Sequence, residues 1–203
     1  SRVQSLWVIT DAAASGAFRR FSDDVVARYG VTPRPLPVQA VRFAGLYVSG
    51  HVSWATYARF RLGDLLPSDV SRVLYLDSDL IVVGSLKELV VGSELRNRSD
   101  QVVRAVARDS GHHLKPFGFR NESYFNAGVL LVDLEEWRSN GIQDQLFTLA
   151  EKLFGQLHLW DQDVLNLGRE HRWSELPGKF NETNLEARSV DARIVHFVGG
   201  TKP

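Results

Sequence analysis

The sequence contains no cysteine and no methionine. The first absence excludes disulfide staples, thiolate metal sites and cysteine nucleophiles. The second includes the initiator, and the chain opens in mid-pattern and stops at Lys202-Pro203, so it reads as a sequence truncated at both ends. There is no excess of charge of either sign: 24 Lys and Arg balance 24 Asp and Glu. A balanced chain has no global field that draws it to nucleic acid or to an anionic membrane. No apolar run approaches the ~20 residues that span a bilayer, and no signal-like segment opens the chain. Lysine is scarce, with 5 Lys against 19 Arg. Alongside many Ala and Val, that skew resembles a compositional bias of a genome more than a functional patch.

What is present is enough for one substantial core: 203 residues, 44% of them hydrophobic. Apolar runs alternate with helical periods. Leu6 to Ile9 reads as a buried strand, and Ser15 to Tyr29 as an amphipathic helix closed by Gly30. The proline-rich stretch 32–37 is restricted to loop or edge strand. Ser53 to Leu66 reads as a helix capped by Ser53 and ended before Pro67. Strands are expected at Arg72 to Leu76, Val102 to Ala107, Gly128 to Val132 and Ile194 to Phe197, with helix from Leu134 to Trp137 and onward to Phe154. Alternation of this kind predicts an α/β sandwich around a largely parallel sheet. Its ligands bind beyond the carboxyl ends of the strands, where several acidic residues fall.

Four clusters carry chemistry. Asp77-Ser78-Asp79 follows a five-residue apolar strand, so two carboxylates stand in an open loop as hard oxygen ligands for Mg²⁺ or Mn²⁺. A departing diphosphate needs such a cation, because charge builds on its oxygen. The same pair also fits a plain strand-to-turn cap, or the opening of an aspartyl-phosphate phosphohydrolase with Asp77 as nucleophile. That enzyme type usually has Thr or Val where this chain has Ile81. Tyr124 to Gly128 precedes a strand with small residues that let backbone approach a ligand, and with an Asn amide suited to a sugar hydroxyl. Trp160 to Asn166 reads as a helix start with polar side chains at its positive end. His196, at a strand end, is a candidate third metal ligand, and Gly199, Gly200 and Lys202 suit phosphate. Each cluster alone also fits an ordinary turn, cap or structural histidine.

Taken in order, the stretches Gly50–Phe60, Arg72–Ser85, Tyr124–Arg138, Asp161–Asn166 and His196–Pro203 resemble glycosyltransferase family 8. The bacterial lipopolysaccharide glucosyl- and galactosyltransferase branch looks closest. The resemblance implies a GT-A type nucleotide-diphospho-sugar transferase fold: Rossmann-like, three-layer α/β/α, mostly parallel sheet. It implies one catalytic domain over residues 1–203 that lacks the family's first strand and its C-terminal segment. Activity would be retaining transfer of a hexose from a UDP-sugar, with UDP-glucose or UDP-galactose as first expectations, to a glycan or glycolipid acceptor. Asp77, Asp79 and His196 would hold Mn²⁺ (or Mg²⁺). Arg59, Ser78, Asp109, Asn126, Ala127, Asp161, Gln162, Gly199 and Lys202 would line the nucleotide-sugar site, with Gln162 and Asp161 nearest the reacting carbon. Front-face displacement is the implied route, with a covalent intermediate on Asp161 or Gln162 as the alternative. The expected setting is the bacterial cytoplasm, with peripheral membrane contact left to the missing C-terminal segment. A non-catalytic sugar-nucleotide-binding relative is the remaining alternative.

Three Asn-x-Ser/Thr sequons, at Asn97, Asn121 and Asn181, would be glycosylated only in a secretory lumen and are read as accidental. Aromatics such as Trp173 suit either the core or stacking on an acceptor sugar.

Overall fold

The computed structural model of the chain describes residues 5–11, 15–39, 43, 45–49, 53–91, 101–109, 111–120, 123–170, 172–184 and 189–199. Strand β1 (Leu6–Asp11) pairs in parallel with β2 (Pro33–Val38), and helix α1 (Ser15–Tyr29) connects them. Pro33, Pro35 and Pro37 alternate along β2, so every second residue still carries an N–H, which is all that a single ladder on one edge requires.

The central sheet has the order β3 (Arg72–Leu76), β6 (Tyr124–Asp133), β5 (Val103–Asp109), β7 (Trp173–Glu175). β6 runs antiparallel to both β3 and β5, whereas β5 and β7 are parallel. Three of the four strands therefore share one direction, and β6 is inserted against them. The expectation of a mostly parallel sheet holds for strand direction but not for pairing. Val129 to Val132 of β6 are all buried, as in a strand covered on both faces, so their unbroken apolar run carries no signal of its direction.

Alternate residues of β3 and β5 divide between two cores. Val73, Tyr75, Val103 and Ala105 face the larger core, and Leu74 and Val106 the smaller. Helices α4 (Leu134–Ser139), α5 (Ile142–Lys152) and α6 (Trp160–Gly168) cover the larger core with Trp137, Ile142, Leu146, Val164 and Leu165. The smaller core is closed by Leu89 of the short helix α3 (Lys87–Val91) and Phe180 of a 3-10 turn at Gly178–Phe180.

Local details differ from the sequence expectation for identifiable reasons. The helix from Ser53 is a 3-10 helix over Trp54–Arg61, followed by one α-turn, α2 (Leu62–Leu65). Tyr57 to Phe60 are buried in succession, so packing on every side, not an amphipathic stripe, sets its geometry. The helical run after β6 breaks at Asn140-Gly141, where Gly141 has φ +58°. Arg138 at that end of α4 donates to the carbonyls of Gly63, Leu66, Pro67, Ser68 and Val70, fastening the turn that leads into β3. β6 begins at Tyr124, not Gly128, because the Asn166 side chain pairs with both Phe125 N–H and Phe125 C=O at 2.9 Å, as a neighbouring strand would. Among the described residues no helix is long and apolar enough to cross a membrane.

Candidate active site

β3 delivers Asp77 to the sheet edge, and the Asp77 N–H continues the ladder by donating to Gly128 C=O at 2.9 Å. The chain then turns through the exposed Ser78 and the half-buried Asp79 into β4 (Leu80–Val82), which pairs antiparallel with β8 (Ile194–His196). That register sets Leu80 opposite His196, and Phe197 N–H donates to Asp79 C=O at 2.9 Å. Two segments more than a hundred residues apart thus bring three candidate ligands of two types together. The ligand atoms of Asp77, Asp79 and His196 lie within 4.8 Å of one another. His196 Nε2 is 3.2 Å from Asp79 Oδ1 and 4.0 Å from Asp77 Oδ2.

This donor set fits a divalent cation: two carboxylate oxygens and one imidazole nitrogen, with the carboxylates about a quarter exposed (24% and 22%) on the open side. The His196 ring is buried flat against Gly128. A Cβ built on that glycine would fall 2.1 Å from His196 Cε1. The absent side chain of Gly128 is what makes room for the His196 ring.

Arg59 lies beneath the carboxylates, 6% exposed. Its Nη2 donates to Asp77 Oδ1 at 2.9 Å, its Nη1 donates to Ala127 C=O, and its face covers the Tyr75 ring at 4.8 Å. Tyr75 donates its hydroxyl to the same Asp77 oxygen at 2.7 Å. Oδ1 of Asp77 is therefore committed to the protein and Oδ2 faces the cation position. Burial is the largest influence on Arg59 and opposes its charge, but Asp161 and Asp77 outweigh it and hold the guanidinium protonated.

Asp161 is 3% exposed at the start of α6. Thr56 donates to its Oδ1. Its Oδ2 is 2.9 Å from Arg59 Nε, an ion pair without hydrogen-bond alignment, since that N–H points at Thr56 C=O. Burial, with Asp77 adding to it against Arg59 and Thr56, pushes the Asp161 carboxyl up to about 6.

Gln162 is anchored at both ends of its amide. Oε1 accepts from Ala127 N–H at 2.9 Å and Asn126 Nδ2 at 3.1 Å, and Nε2 donates to Tyr124 OH at 2.9 Å. Behind it, the fully buried Asp163 accepts from Tyr124 OH, His113 Nε2, and the His158 and Leu159 N–H groups, at 2.7 to 2.9 Å. Those contacts hold the turn in which Trp160, with φ +43°, opens α6. A bulky residue in that region is an outlier that surrounding structure must enforce.

Asp109 ends β5 opposite Tyr124, and its side chain lies outside the described residues, as do Gly50, His51 and Lys202. Gly199 sits in a turn with φ +77°. Sequence reasoning missed Thr56, Tyr75, Tyr124, Asp163 and Asn181 as site residues. Asn181 had been noticed only as a sequon. It is fully buried, bonded to Asn126 Oδ1 at 2.8 Å and His196 Nδ1 at 3.0 Å, which leaves no room for a glycan. The other two sequons lie outside the described residues. Trp173 packs on Phe125, ring centroids 5.0 Å apart, as part of the core side of β7.

Known proteins share this arrangement of chain. The family model for glycosyl transferase family 8 matches residues 46–203. Glycosyltransferase GlyF of Streptococcus pneumoniae serotype 4 is 33% identical over 183 residues, covering 85% of this chain and 43% of that protein. Lipopolysaccharide 1,2-glucosyltransferase of Escherichia coli is 33% identical over 166 residues, covering 72% of this chain and 48% of that protein. The chain thus spans less than half the length of these two relatives. Among solved structures, galactosyltransferase LgtC in complex with donor and acceptor sugar analogs superposes with a TM-score of 0.76 at 21% identity, covering 98% of this chain and 88% of that one. The likeness in structure establishes the GT-A fold, and the family match over most of the length makes the chain a member of glycosyl transferase family 8.

Proposed function

We propose that this chain is the catalytic core of a metal-dependent, retaining hexosyltransferase that uses a UDP-sugar donor and a saccharide acceptor in bacterial cell-surface glycan synthesis, on the cytoplasmic side of the membrane. One observation carries the reading. Asp77, Asp79 and His196 converge within 4.8 Å, beside the Asn126–Ala127–Gln162 amide cluster.

A divalent cation held by the three ligands, Mn²⁺ by preference, would neutralise the charge of a departing diphosphate. The protein's own groups do the rest. Arg59 holds Asp77 and Asp161 in place before any ligand arrives. Gln162 has its carbonyl oxygen doubly bonded and one amide hydrogen given to Tyr124. Its second N–H is what remains for the sugar, so Gln162 acts as a neutral donor and not as a nucleophile. Asp161 offers Oδ2, which no donor engages with hydrogen-bond geometry, to a sugar hydroxyl. Asn126, Ala127 and Asp109 complete the sugar pocket, with Ser78, Gly199 and Lys202 on the diphosphate. With the Gln162 carbonyl oxygen already accepting two hydrogen bonds and Asp161 tied to Arg59 and Thr56, front-face displacement is favoured over a covalent glycosyl-enzyme. The donors are UDP-glucose or UDP-galactose, and the acceptor is a lipopolysaccharide-type glycan. The E. coli relative, a glucosyltransferase, and LgtC, a galactosyltransferase, support a hexosyl transfer of this kind.

The commitment of Asp77 Oδ1 to Arg59 and Tyr75 counts against its serving as a phosphohydrolase nucleophile. The test is calorimetric titration of UDP and a panel of UDP-sugars with Mn²⁺ and again with EDTA, followed by a turnover assay. Metal-dependent UDP binding that is lost in Asp79→Ala and His196→Ala supports the assignment. Binding without transfer or donor hydrolysis would make the chain a non-catalytic relative. Absence of UDP binding by the whole protein would overturn the reading.

A further inference from the structure

The polar side chains of the site form one file, and the direction of every hydrogen bond in it can be deduced. Two backbone N–H groups fix the starting points, since they can only donate. Ala127 N–H faces Gln162 at 2.9 Å, so the atom there is Oε1. Gly128 N–H faces Asn126 at 3.0 Å, so that atom is Oδ1. Asn126 Nδ2 then donates to Gln162 Oε1 at 3.1 Å. The Asn181 atom 2.8 Å from Asn126 Oδ1 must be its NH₂, which leaves Asn181 Oδ1 facing His196 Nδ1 at 3.0 Å. A carbonyl oxygen only accepts, so the proton is on Nδ1.

The other end runs the same way. Gln162 Nε2 donates to Tyr124 OH at 2.9 Å, and the single phenolic proton goes to Asp163 Oδ1 at 2.7 Å. A carboxylate with no exposure ends the file, and every link from His196 through Asn181, Asn126, Gln162 and Tyr124 to Asp163 points toward it. Aligned bonds polarise one another, so the file is self-reinforcing in one sense and frustrated in the other.

We propose that Asn181 is a positioning residue that holds His196 in the Nδ1-protonated tautomer, so that Nε2 presents its lone pair to the cation, and that it couples this choice to the orientation of the Gln162 amide. Outer partners of a metal-bound histidine act in this way, and their loss typically costs about 10- to 100-fold in metal affinity. Asn181 itself touches neither the cation position nor the sugar. The inference deepens the transferase reading and rests on it for the meaning of Gln162, but the tautomer is a property of the protein alone.

The experiment begins with ¹⁵N-resolved NMR of the histidine rings in the metal-free protein at pH 8, with His196 assigned by its loss in His196→Gln. A proton on Nδ1 is expected for His196, whether or not Nε2, which faces Asp79 Oδ1 at 3.2 Å while no cation is bound, carries one as well. A proton on Nε2 alone would overturn the proposal whatever the variants do. Calorimetric titration with Mn²⁺ alone, without donor, then compares two substitutions. Asn181→Leu removes the acceptor and is expected to weaken Mn²⁺ about tenfold or more. Asn181→Asp keeps an acceptor for Nδ1 but sets oxygen against Asn126 Oδ1. It is expected to retain the tautomer and near-native Mn²⁺ affinity, while lowering kcat for donor hydrolysis more than KM. Equal loss of Mn²⁺ affinity in both variants would mean a merely structural role, and no loss in Asn181→Leu would refute the tautomer control. If Mn²⁺ and NMR behave as expected but no UDP-sugar is turned over, the transferase reading fails and the tautomer control stands.

Discussion

Gly128 and His196 touch so closely that the histidine ring occupies the space of the side chain the glycine lacks. A methyl group there would lie 2.1 Å from Cε1 and under 3 Å from both ring nitrogens. Gly128→Ala must therefore displace the ring. Overpacking of this kind costs about 1–3 kcal/mol of stability. If His196 is the proposed metal ligand, Mn²⁺ affinity should fall about tenfold or more as well. Titration of the folded variant with Mn²⁺ checks this, and unchanged affinity would show that the ring has another place to go.

Asp161 should give the metal-free protein a recognisable pH signature. Its carboxyl is raised from the ordinary 3.8 to about 6, so between those values the folded state binds more protons than the unfolded one. Stability from this group is fully present below about pH 4 and declines as pH rises through about 6, by on the order of 3 kcal/mol. Asp161→Asn should remove that slope. Denaturant midpoints from pH 4 to 7.5 for both proteins give the comparison, and parallel curves would contradict it.

Gln162→Ala should lower kcat far more than donor affinity if, as proposed, the amide faces the reacting centre and takes no part in holding the diphosphate. Single-turnover rates alongside UDP-sugar binding separate the two. Equal losses would reduce Gln162 to a donor-positioning group.

Arg138 is expected to matter for stability without touching the chemistry. It donates to five carbonyls of the segment 63–70, of which that of Pro67 also accepts from a turn N–H. Arg138→Ala should cost about 2–3 kcal/mol by denaturant unfolding, with Mn²⁺ affinity preserved in the folded fraction. A loss below about 0.5 kcal/mol, the range of ordinary surface changes, would mean that water replaces the guanidinium.

By itself the sequence determined most of the elements and singled out Asp77, Asp79 and His196, which the fold brings together. The apolar run Arg72 to Leu76 ending in Asp77-Ser78-Asp79 dictates a strand that terminates in carboxylates, and His196 closes a strand of equal clarity. These signals are local: burial sets the run, and the first charges end it. The same holds for α1, whose period and closing Gly30 are legible at both ends.

What tertiary structure alone decided is which groups face one another and which atoms they offer. The sense of β6 depends on its neighbours. Its early start depends on Asn166, forty-one residues away. Asn181 looked like a sequon, because three residues of sequence cannot reveal that folding buries the first of them between Asn126 and His196. Arg59 and Asp161, read as separate ligand contacts, are one buried pair beneath Asp77. Hydrogen-bond direction, histidine tautomer and the shift of Asp161 all arise from distances between segments far apart in the chain. No local pattern encodes such distances, since periodicity fixes which face a side chain takes but not what meets it there.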